Sequence, residues 1–348
     1  MRVLFLTLYP EPAASPRYRV VQFLSYLCSR GVSYTVASPV TEEAWRVLTG
    51  EGRRRRAFWY HAHETARRMK QLLDARRYDV VFVQKALMTA YLRGAAAALR
   101  WGARRIIYDI DDAVHLAPPH PLRGPWRFVE DRNQIVKVMR MADRVLAGNT
   151  WLASEAARLG ANVVHFPTVV DTARFVPAAD APDAFRVGWI GNPSTAAYLE
   201  PVRKVLESLD GEVCLVGAAS SGTPWRRAAL RPWSLETEVA ELQRFSAGIM
   251  PLPRTDWAKG KCALKALQYM ACGVPCVATP FGAALDIIRP DENGLFAESP
   301  EEWRDALDRL RDPKLRKRLG DAGRSTVEER YSIAKAAPRF FEILESVA

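Results

Sequence analysis

The chain repeats one pattern, in which a short and wholly apolar run is followed by a polar loop and then by a segment with helical spacing. It opens with RVLFLTLYP, continues with a predicted helix over Tyr18–Ser29 that ends at Gly31, and returns to an apolar run in VSYTVASP. Runs that are apolar at nearly every position are typical of parallel strands with helices on both faces. The pattern therefore predicts right-handed β-α-β units and an α/β fold built on parallel sheets.

The pattern occurs in two series, which indicates two domains. The first series goes on through YDVVFVQKA, ARRIIYDIDD, DRVLAG and VVHFPTVVD, and FRVGWIG begins the second. Residues 172–183 between them are polar and carry Pro and Ala, which is typical of a hinge. A length of 348 residues also suits two domains. We predict the boundary close to Asp180.

The most informative stretch runs from Asp256 to Gly282, DWAKGKCALKALQYMACGVPCVATPFG. It predicts a loop, a helix, a tight turn and a buried strand. Lys261 and Lys265 are four residues apart near the start of this helix, so they are expected to share one of its faces. Two ammonium groups and the free N–H groups of a helix start would hold a diphosphate. The alternative is a solvated helix face.

A second turn, GNPSTAAYL, follows the apolar run FRVGWIG. Gly191 and Asn192 are predicted at the end of the strand, and Ser194 or Thr195 at the start of the next helix. Backbone N–H groups at such a turn can bind the same anionic ligand. The alternative is an ordinary Ser/Thr helix cap.

These motifs carry a resemblance. The segment GIMPLPRTDWAKGKCALKALQYMACGVPCVATPFG, with WIGNPSTAAYL before it, NGLFA after it and YDIDD upstream, resembles bacterial family-four-type glycosyltransferases (glycosyl transferases group 1). The resemblance implies a GT-B fold, in which two Rossmann-like domains with parallel sheets face each other across a cleft. It implies an acceptor-side domain over residues 1–180, a donor-nucleotide domain over residues 181–330, and a last helix over residues 331–348 that packs back on the first domain.

The resemblance also implies a reaction, the transfer of a sugar from a nucleotide-diphosphate sugar to an acceptor hydroxyl with retention of the anomeric configuration. Lys261 and Lys265 would be the catalytic groups that stabilise the leaving diphosphate, and no metal or other cofactor is expected. In this family two glutamates eight residues apart bracket the donor helix, and Gly260 and Gln268 stand at those positions here. Gln268 can still bind ribose hydroxyls. Gly260 brings no carboxylate, and Asp256 is a candidate substitute.

The first domain offers candidates on the acceptor side. Arg17 and Arg19 follow the first strand and would bind a phosphate or an anionic acceptor, unless they belong to a solvated helix start. Asp109, Asp111 and Asp112 are predicted at the carboxyl edge of the sheet, where ligands bind. We expect Asp111 or Asp112 to contact acceptor hydroxyls or to shape the cleft, with capping of the next helix as the alternative. A manganese pair is disfavoured by the GT-B-like order of the motifs.

Composition bears on partners and compartment. A net charge of +11 and a pI near 9.6 indicate anionic partners, which include a nucleotide sugar, an acidic membrane and nucleic acid. No nucleic-acid motif accompanies the charge. Four arginines at 53–56, followed by Phe58, Trp59 and Tyr60, would suit peripheral contact with an anionic membrane, or the buried face of a helix. Five scattered cysteines and no run near the ~20 apolar residues of a membrane span predict a cytoplasmic protein, soluble or at the inner face of a membrane.

The acceptor is left open between a glycan, a lipid-linked intermediate, a protein and a small molecule, so the pathway could be polysaccharide or glycoconjugate biosynthesis. Two other functions stay open. The aspartates at 109, 111 and 112 permit a nucleotide-sugar epimerase on the same fold. Gly260, which lacks the family carboxylate, permits a catalytically silent binding subunit of a transferase complex.

Overall fold

The computed structural model describes residues 1–49, 57–117, 124–180, 184–218 and 225–348. These residues form two compact units, one of Met1–Thr168 with Ala336–Ala348 and one of Val169–Lys335. The arginines at 53–56 lie outside the described residues, as do the side chains of residues 58–60. The predicted membrane contact of that patch therefore stays a prediction.

Within the described residues, each unit contains one six-stranded sheet in which all neighbouring strands are parallel. The strands are β1 (Arg2–Leu6), β2 (Ser33–Ala37), β3 (Val80–Gln84), β4 (Ile106–Ile110), β5 (Arg144–Ala147), β6 (Val163–His165), β7 (Arg186–Ile190), β8 (Glu212–Val216), β9 (Ala228–Arg231), β10 (Ala247–Met250), β11 (Cys276–Ala278) and β12 (Leu295–Phe296). The strand order is β2-β1-β3-β4-β5-β6 in the first sheet and β12-β11-β10-β7-β8-β9 in the second. The predicted α/β class with parallel sheets is confirmed.

Helices connect the strands, as the alternating sequence pattern predicts. The α-helices are α1 (Ala14–Arg19), α2 (Leu24–Ser29), α3 (Glu42–Thr49), α4 (Ala57–Asp74), α5 (Ala95–Gly102), α6 (Gln134–Met141), α7 (Thr150–Arg158), α8 (Pro193–Ala196), α9 (Arg203–Glu207), α10 (Glu238–Gln243), α11 (Asp256–Lys259), α12 (Leu264–Ala271), α13 (Ala284–Ile287), α14 (Pro300–Arg309), α15 (Pro313–Arg330) and α16 (Ile333–Glu345). Short 3-10 helices cover Val21–Phe23, Ala75–Arg77, Gly124–Val129 and Ala197–Val202.

The last helix, α16, packs from Ala336 onward in the first unit. Its Phe340 is fully buried, with its ring centroid 4.8 Å from that of Phe23, 5.4 Å from that of Phe82 and 5.5 Å from that of Phe166. Burying an aromatic side chain of this kind contributes roughly 1.5–3 kcal/mol. The end of the chain is thus part of the core formed by its beginning.

The division between the units lies between Thr168 and Val169, whereas the sequence pattern predicts it close to residue 180. Backbone pairing accounts for the observed position. Val170 donates to the carbonyl of Tyr331 (2.9 Å) and accepts from the N–H of Ile333 (3.2 Å), and these partners lie at the far end of the second unit.

Three local predictions need correction. The predicted helix over Tyr18–Ser29 is interrupted at Val20, whose backbone (φ −132°, ψ −64°) is not helical. The sequence also predicts a helix from about Phe128 to Met141, but this helix begins only at Gln134. The sequence further predicts a helix over about Trp233–Gln243, but α10 begins only at Glu238. The strand β9 before it was missed, since most of its residues are exposed and form no apolar run.

Candidate functional site

In the second sheet, β7 lies between β10 and β8, so the connections after β7 and β10 lead to opposite sides. In parallel α/β sheets, this reversal opens a crevice at the carboxyl ends of the two strands, and ligands bind there. Residues 191–195 follow β7, and residues 251–265 follow β10. The structure therefore brings the two predicted donor segments to one edge of one sheet.

Tyr269 of α12 bridges β7 and β10 near that edge. Its hydroxyl accepts from the N–H of Ile190 (3.0 Å) and donates to the carbonyl of Ile249 (3.2 Å). Its ring lies directly on Gly248, because a Cβ at that glycine would stand 2.4 Å from the ring atoms. The buried Tyr269 side chain thus forms hydrogen bonds with the backbone of both strands. It anchors α12, the helix that carries the predicted site residues Lys265 and Gln268.

The turn after β7 is organised by its own hydrogen bonds. Asn192 caps α8 by accepting from the N–H of Thr195 (3.1 Å) and also from the hydroxyl of Ser194 (2.7 Å). The N–H of Asn192 donates to the Thr195 hydroxyl (3.4 Å), and that of Gly191 donates to Val216 (3.0 Å). The turn therefore offers fewer free N–H groups than the sequence analysis expected, since those of Gly191, Asn192 and Thr195 already have acceptors.

Gly191 lies in contact with the side chain of Lys265. A Cβ at Gly191 would stand 2.9 Å from Lys265 Cε and 2.3 Å from Trp189 Cη2, so a larger residue does not fit without movement. The Lys265 ammonium lies 5.3 Å from the centroid of the Trp189 ring, and this indole is buried. A cation over an indole face is attracted to it. The turn after β7 and the start of α12 therefore meet at the Lys265 side chain.

The predicted arrangement of the two lysines on one helix face is wrong, because Lys261 precedes α12. The helix starts at Leu264, and Lys265 is its second residue. Ala263 before it has a left-handed backbone (φ 51°, ψ 33°), which costs a non-glycine residue about 1–3 kcal/mol and occurs mostly at functional sites. Buried Cys262 and Ala263 turn the chain there, so Lys261 lies in a connecting segment and is half-buried.

Asp256 and Gly260 stand at the two ends of the short helix α11. Asp256 is exposed and is the first residue of that helix, which is capped by the Thr255 side chain. Gly260 is the C-cap and is buried. The suggestion that Asp256 replaces the carboxylate missing at Gly260 stays a prediction.

Gln268 belongs to a buried polar network. Its amide donates to Glu238 (3.0 Å), which also accepts from the Trp233 indole N–H (3.2 Å) and from Arg174 (2.9 Å). The polar sequence around Glu238 predicts an exposed helix face, but this side chain is 2% exposed, so that prediction is wrong. No sequence pattern signals this network, because its members lie far apart along the chain. The role of Gln268 toward a ribose stays a prediction.

In the first unit, Arg19 and Asp109 form a buried pair. Arg19 Nε lies 3.0 Å and 3.1 Å from the two carboxylate oxygens of Asp109, and Arg19 also donates to the carbonyl of Phe166 (3.0 Å). Each side chain is 1% exposed. Burial raises the pKa of Asp109 to about 6, and Arg19 opposes that shift. The two residues therefore bind each other, whereas Arg17 is half-buried, with its guanidinium 5.3 Å from the Tyr18 ring centroid.

Asp111 and Asp112 lie in a second cluster, where sequence analysis missed Lys85. The Lys85 ammonium donates to Asp112 and lies 3.9 Å from Asp111, which also accepts from the Ser15 hydroxyl. Gln84 donates to that hydroxyl (2.6 Å) and to Asp111 (3.4 Å). These side chains come from the ends of β3 and β4 and from the segment after β1, which is where the order of the first sheet reverses. The only sequence signal for Lys85 is its place directly after a buried strand.

The backbone and the charge of Lys85 are both unusual. Its φ of 70° is left-handed, and its N–H and carbonyl are held by the Asp109 carbonyl (2.8 Å) and the Tyr108 hydroxyl (2.6 Å). Burial alone lowers its pKa, but the carboxylates of Asp112 and Asp111 outweigh it and raise the pKa above the ordinary value. The side chain is therefore a fixed cation beside two carboxylates.

The described parts of the chain offer neither a metal cluster nor a membrane span. They contain no group of three or more His, Cys, Asp or Glu side chains placed to hold a metal ion. Asp109 and Asp112 of the DID-containing motif are instead paired with Arg19 and Lys85. No helix within the same residues is long and apolar enough to cross a membrane.

Comparisons with known proteins agree with this geometry. Residues 195–312 match the family model of the glycosyl transferases group 1. Sucrose-phosphate synthase from Thermosynechococcus elongatus is similar in structure, with a TM-score of 0.73 at 16% identity over 99% of this chain and 98% of that chain. Anabaena HepE, solved in complex with UDP-glucose, has a TM-score of 0.72 at 14% identity over 100% of both chains.

A curated relative is N-acetyl-alpha-D-glucosaminyl L-malate synthase of Bacillus anthracis, 28% identical over 115 residues. That match covers 32% of this chain and 29% of the relative, so it concerns a minor part of both proteins. The family match lies wholly within Val169–Lys335. The implied fold is confirmed, since the chain has the GT-B fold, and residues 195–312 of its second unit resemble the glycosyl transferases group 1.

Proposed function

We propose that this protein is a glycosyltransferase that moves a sugar from a nucleotide-diphosphate sugar to an acceptor hydroxyl. The observation that carries the proposal is the contact between Lys265 and Gly191 at the reversal point of the second sheet, with Lys261 in the adjoining segment. An ammonium held at this edge, beside a second lysine, suits the diphosphate of a nucleotide. The structural likeness to HepE, which was solved with UDP-glucose, supports a nucleotide sugar as donor.

In the proposed reaction, Lys261 and Lys265 stabilise the charge that develops on the leaving diphosphate. Such preorganised groups lower the barrier because they need not reorient as the bond breaks. The family resemblance supports retention of the anomeric configuration, with a donor phosphate oxygen taking the acceptor proton. We propose that the lysines make a metal unnecessary, so activity is expected to persist in EDTA.

We assign the acceptor to the first unit, where Lys85, Asp111 and Asp112 form a charged and partly exposed cluster. Carboxylates accept hydrogen bonds from hydroxyl groups, and the Lys85 ammonium donates to acceptor oxygens. Asp109 supports this cluster through its backbone, because its carbonyl accepts from the N–H of Lys85. Arg19 in turn pairs with the Asp109 carboxylate.

The test combines binding and turnover. Purified protein is screened by thermal shift against UDP, GDP, ADP, CMP and dTDP, and nucleotide release is then measured with the matching sugars. A ligand at about 100 times its Kd adds about 2.7 kcal/mol and raises the melting temperature by a few degrees. Lys265→Ala and Lys261→Ala are each expected to lower kcat about 10²–10³-fold, which corresponds to roughly 2.7–4 kcal/mol.

Lys317→Ala is the matched control, since Lys317 pairs only with Asp321 on an exposed face of the same unit among the described residues. Wild-type activity in Lys265→Ala would contradict the assignment. Nucleotide binding without transfer or hydrolysis would indicate a silent subunit, and conversion of the donor sugar without acceptor would indicate an epimerase. A flat response to the whole panel would contradict the donor site itself.

A further inference from the structure

A cavity of about 270 Å³ lies in the second unit between the strands β7, β8 and β9 and the helix α10. Its lining includes two small side chains, those of buried Cys214 on β8 and exposed Ala229 on β9, which are neighbours in the sheet register. Sites for drug-sized ligands measure about 300–1,000 Å³, so this cavity suits a smaller molecule.

The walls of the cavity are strongly charged. Its charged lining residues are Arg186, Arg227, Arg231, Arg244, Glu212 and Glu241. Four arginines against two glutamates leave a net charge of +2. A phosphate monoester carries about −1.5 to −2 at neutral pH, so one such group would balance the cavity.

One arginine is already committed to the protein. Arg186 pairs with Glu212 at 2.5 Å and donates to the carbonyl of Arg244 (3.1 Å). This pair neutralises Glu212 beside the start of β7. The Arg186 guanidinium is therefore held by the protein, and we do not expect it to bind a ligand.

The other three arginines of the cavity form no close ion pair with another described residue of the protein. Arg227 and Arg231 form no ion pair within the described residues, and Arg244 lies 3.9 Å from Glu241. Ala229 and Arg231 alternate on β9 and so lie on one face of the sheet. Arg227 directly precedes this strand and also lines the cavity. The planar guanidinium group binds phosphate through two parallel hydrogen bonds. Arg227 and Arg231 flank the small Ala229 in the cavity lining, which leaves room for such a group.

The remaining polar groups suit hydroxyls. Glu241 is half-buried on α10, and its carboxylate accepts hydrogen bonds. Cys214 is 5% exposed, and burial raises the pKa of its thiol, so this part of the lining is uncharged. Anion-binding arginines and a hydroxyl-binding carboxylate in one small cavity match a sugar that bears a phosphate.

The cavity is separate from the candidate donor residues. Arg186 and Glu212 open β7 and β8, whereas Gly191 follows the opposite end of β7. A strand rises about 3.3 Å per residue, so the two ends of β7 are separated by roughly 13 Å. We propose that this cavity is a second ligand site, which binds a monosaccharide phosphate independently of the donor nucleotide.

The experiment is isothermal titration calorimetry of the whole chain with glucose 6-phosphate, glucose and inorganic phosphate, at low salt. Glucose 6-phosphate is expected to bind at least about tenfold more tightly than either fragment. The double variant Arg227→Ala/Arg231→Ala is expected to weaken that binding about tenfold or more. The control is Arg226→Ala, an exposed neighbour that does not line the cavity. Circular dichroism and the melting temperature verify that each variant is folded.

Competition with UDP separates this site from the donor site. Saturating UDP is expected to leave the affinity for glucose 6-phosphate unchanged. Displacement by UDP, equal loss in Arg226→Ala, or no binding below about 10 mM would overturn the proposal. Binding of glucose 6-phosphate in a protein that binds no nucleotide would support this cavity and contradict the proposed function, so the two failures are distinguishable.

Discussion

The Asp109→Asn substitution is expected to destabilise the first unit strongly, because it leaves the charge of Arg19 buried without a counter-charge. Both side chains are 1% exposed, and Arg19 directs its guanidinium to the carboxylate and to the carbonyl of Phe166. Asparagine keeps the shape of the side chain but removes its charge. The substitution therefore tests the pairing and not the packing.

The magnitude follows from the burial of the pair. Removing one member of a buried ion pair costs about 3–5 kcal/mol, since the other charge stays desolvated. A domain of 150–250 residues loses about 2–4 °C in melting temperature per kcal/mol. The expected fall for Asp109→Asn is therefore roughly 6–20 °C.

The assay is thermal and urea unfolding followed by circular dichroism, with two companion variants. Asp74→Asn is the exposed control in the same unit, because Arg77 lies 3.6 Å from Asp74 and the two side chains are 78% and 45% exposed. Such a pair contributes about 0–1 kcal/mol. The double variant Arg19→Met/Asp109→Leu removes both charges and is expected to regain most of the lost stability.

The reasoning is refuted if Asp109→Asn melts within about 2 °C of Asp74→Asn. If Asp109→Asn instead raised KM for the acceptor and left stability unchanged, the result would support the acceptor-side role that the sequence predicts for Arg19 and Asp109.

Three further predictions concern packing, the acceptor and the thiols. Gly320→Ala is expected to cost roughly 1–3 kcal/mol and to lower the urea midpoint, because its Cβ would lie 2.1 Å from the carbonyl oxygen of Gly273, which belongs to the backbone; an unchanged midpoint would mean that α15 can shift. Lys85→Met is expected to raise KM for the acceptor while the donor Kd stays within about twofold, and a loss confined to donor binding would contradict the acceptor assignment. A thiol reagent is expected to modify exposed Cys28 quickly in the native protein and Cys272 only after unfolding, since burial raises the pKa of Cys272 to about 12; rapid native labelling of both would contradict this.

Much of the fold was predictable because its central strands are buried on both faces. β3 and β4 are buried at every position, and such strands appear in the sequence as apolar runs. β9 shows the limit of this signal. Its last three residues are exposed at the edge of the sheet, so burial imposes no apolar pattern on them and the strand was missed.

The candidate site was predictable only where it is local in sequence. Gly191 and Lys265 each stand in a turn or helix start that follows a strand, and both lie at the reversal point of the second sheet. Glu238 was placed on a solvated face, although it binds Gln268 thirty residues further along the chain. A charged residue surrounded by polar neighbours in sequence shows no sign that a distant partner will bury it.

The sequence by itself determined the alternation of strands and helices and the parallel class of both sheets, because burial imposes apolar patterns on the strands. It also determined the resemblance of the second unit to a known family, because short motifs carry that resemblance. Only the tertiary structure decided which charged groups are engaged within the protein. Arg19 and Asp109 stand 90 residues apart and looked like ligands until the strand order placed them together. Nothing in the sequence near Lys85 indicates a functional role, but the strand order of the first sheet brings its ammonium group to the carboxylate of Asp112. Two charged side chains can pair only if they are close in space. That distance is set by the order of the strands in the sheet, and no single segment of the chain determines this order.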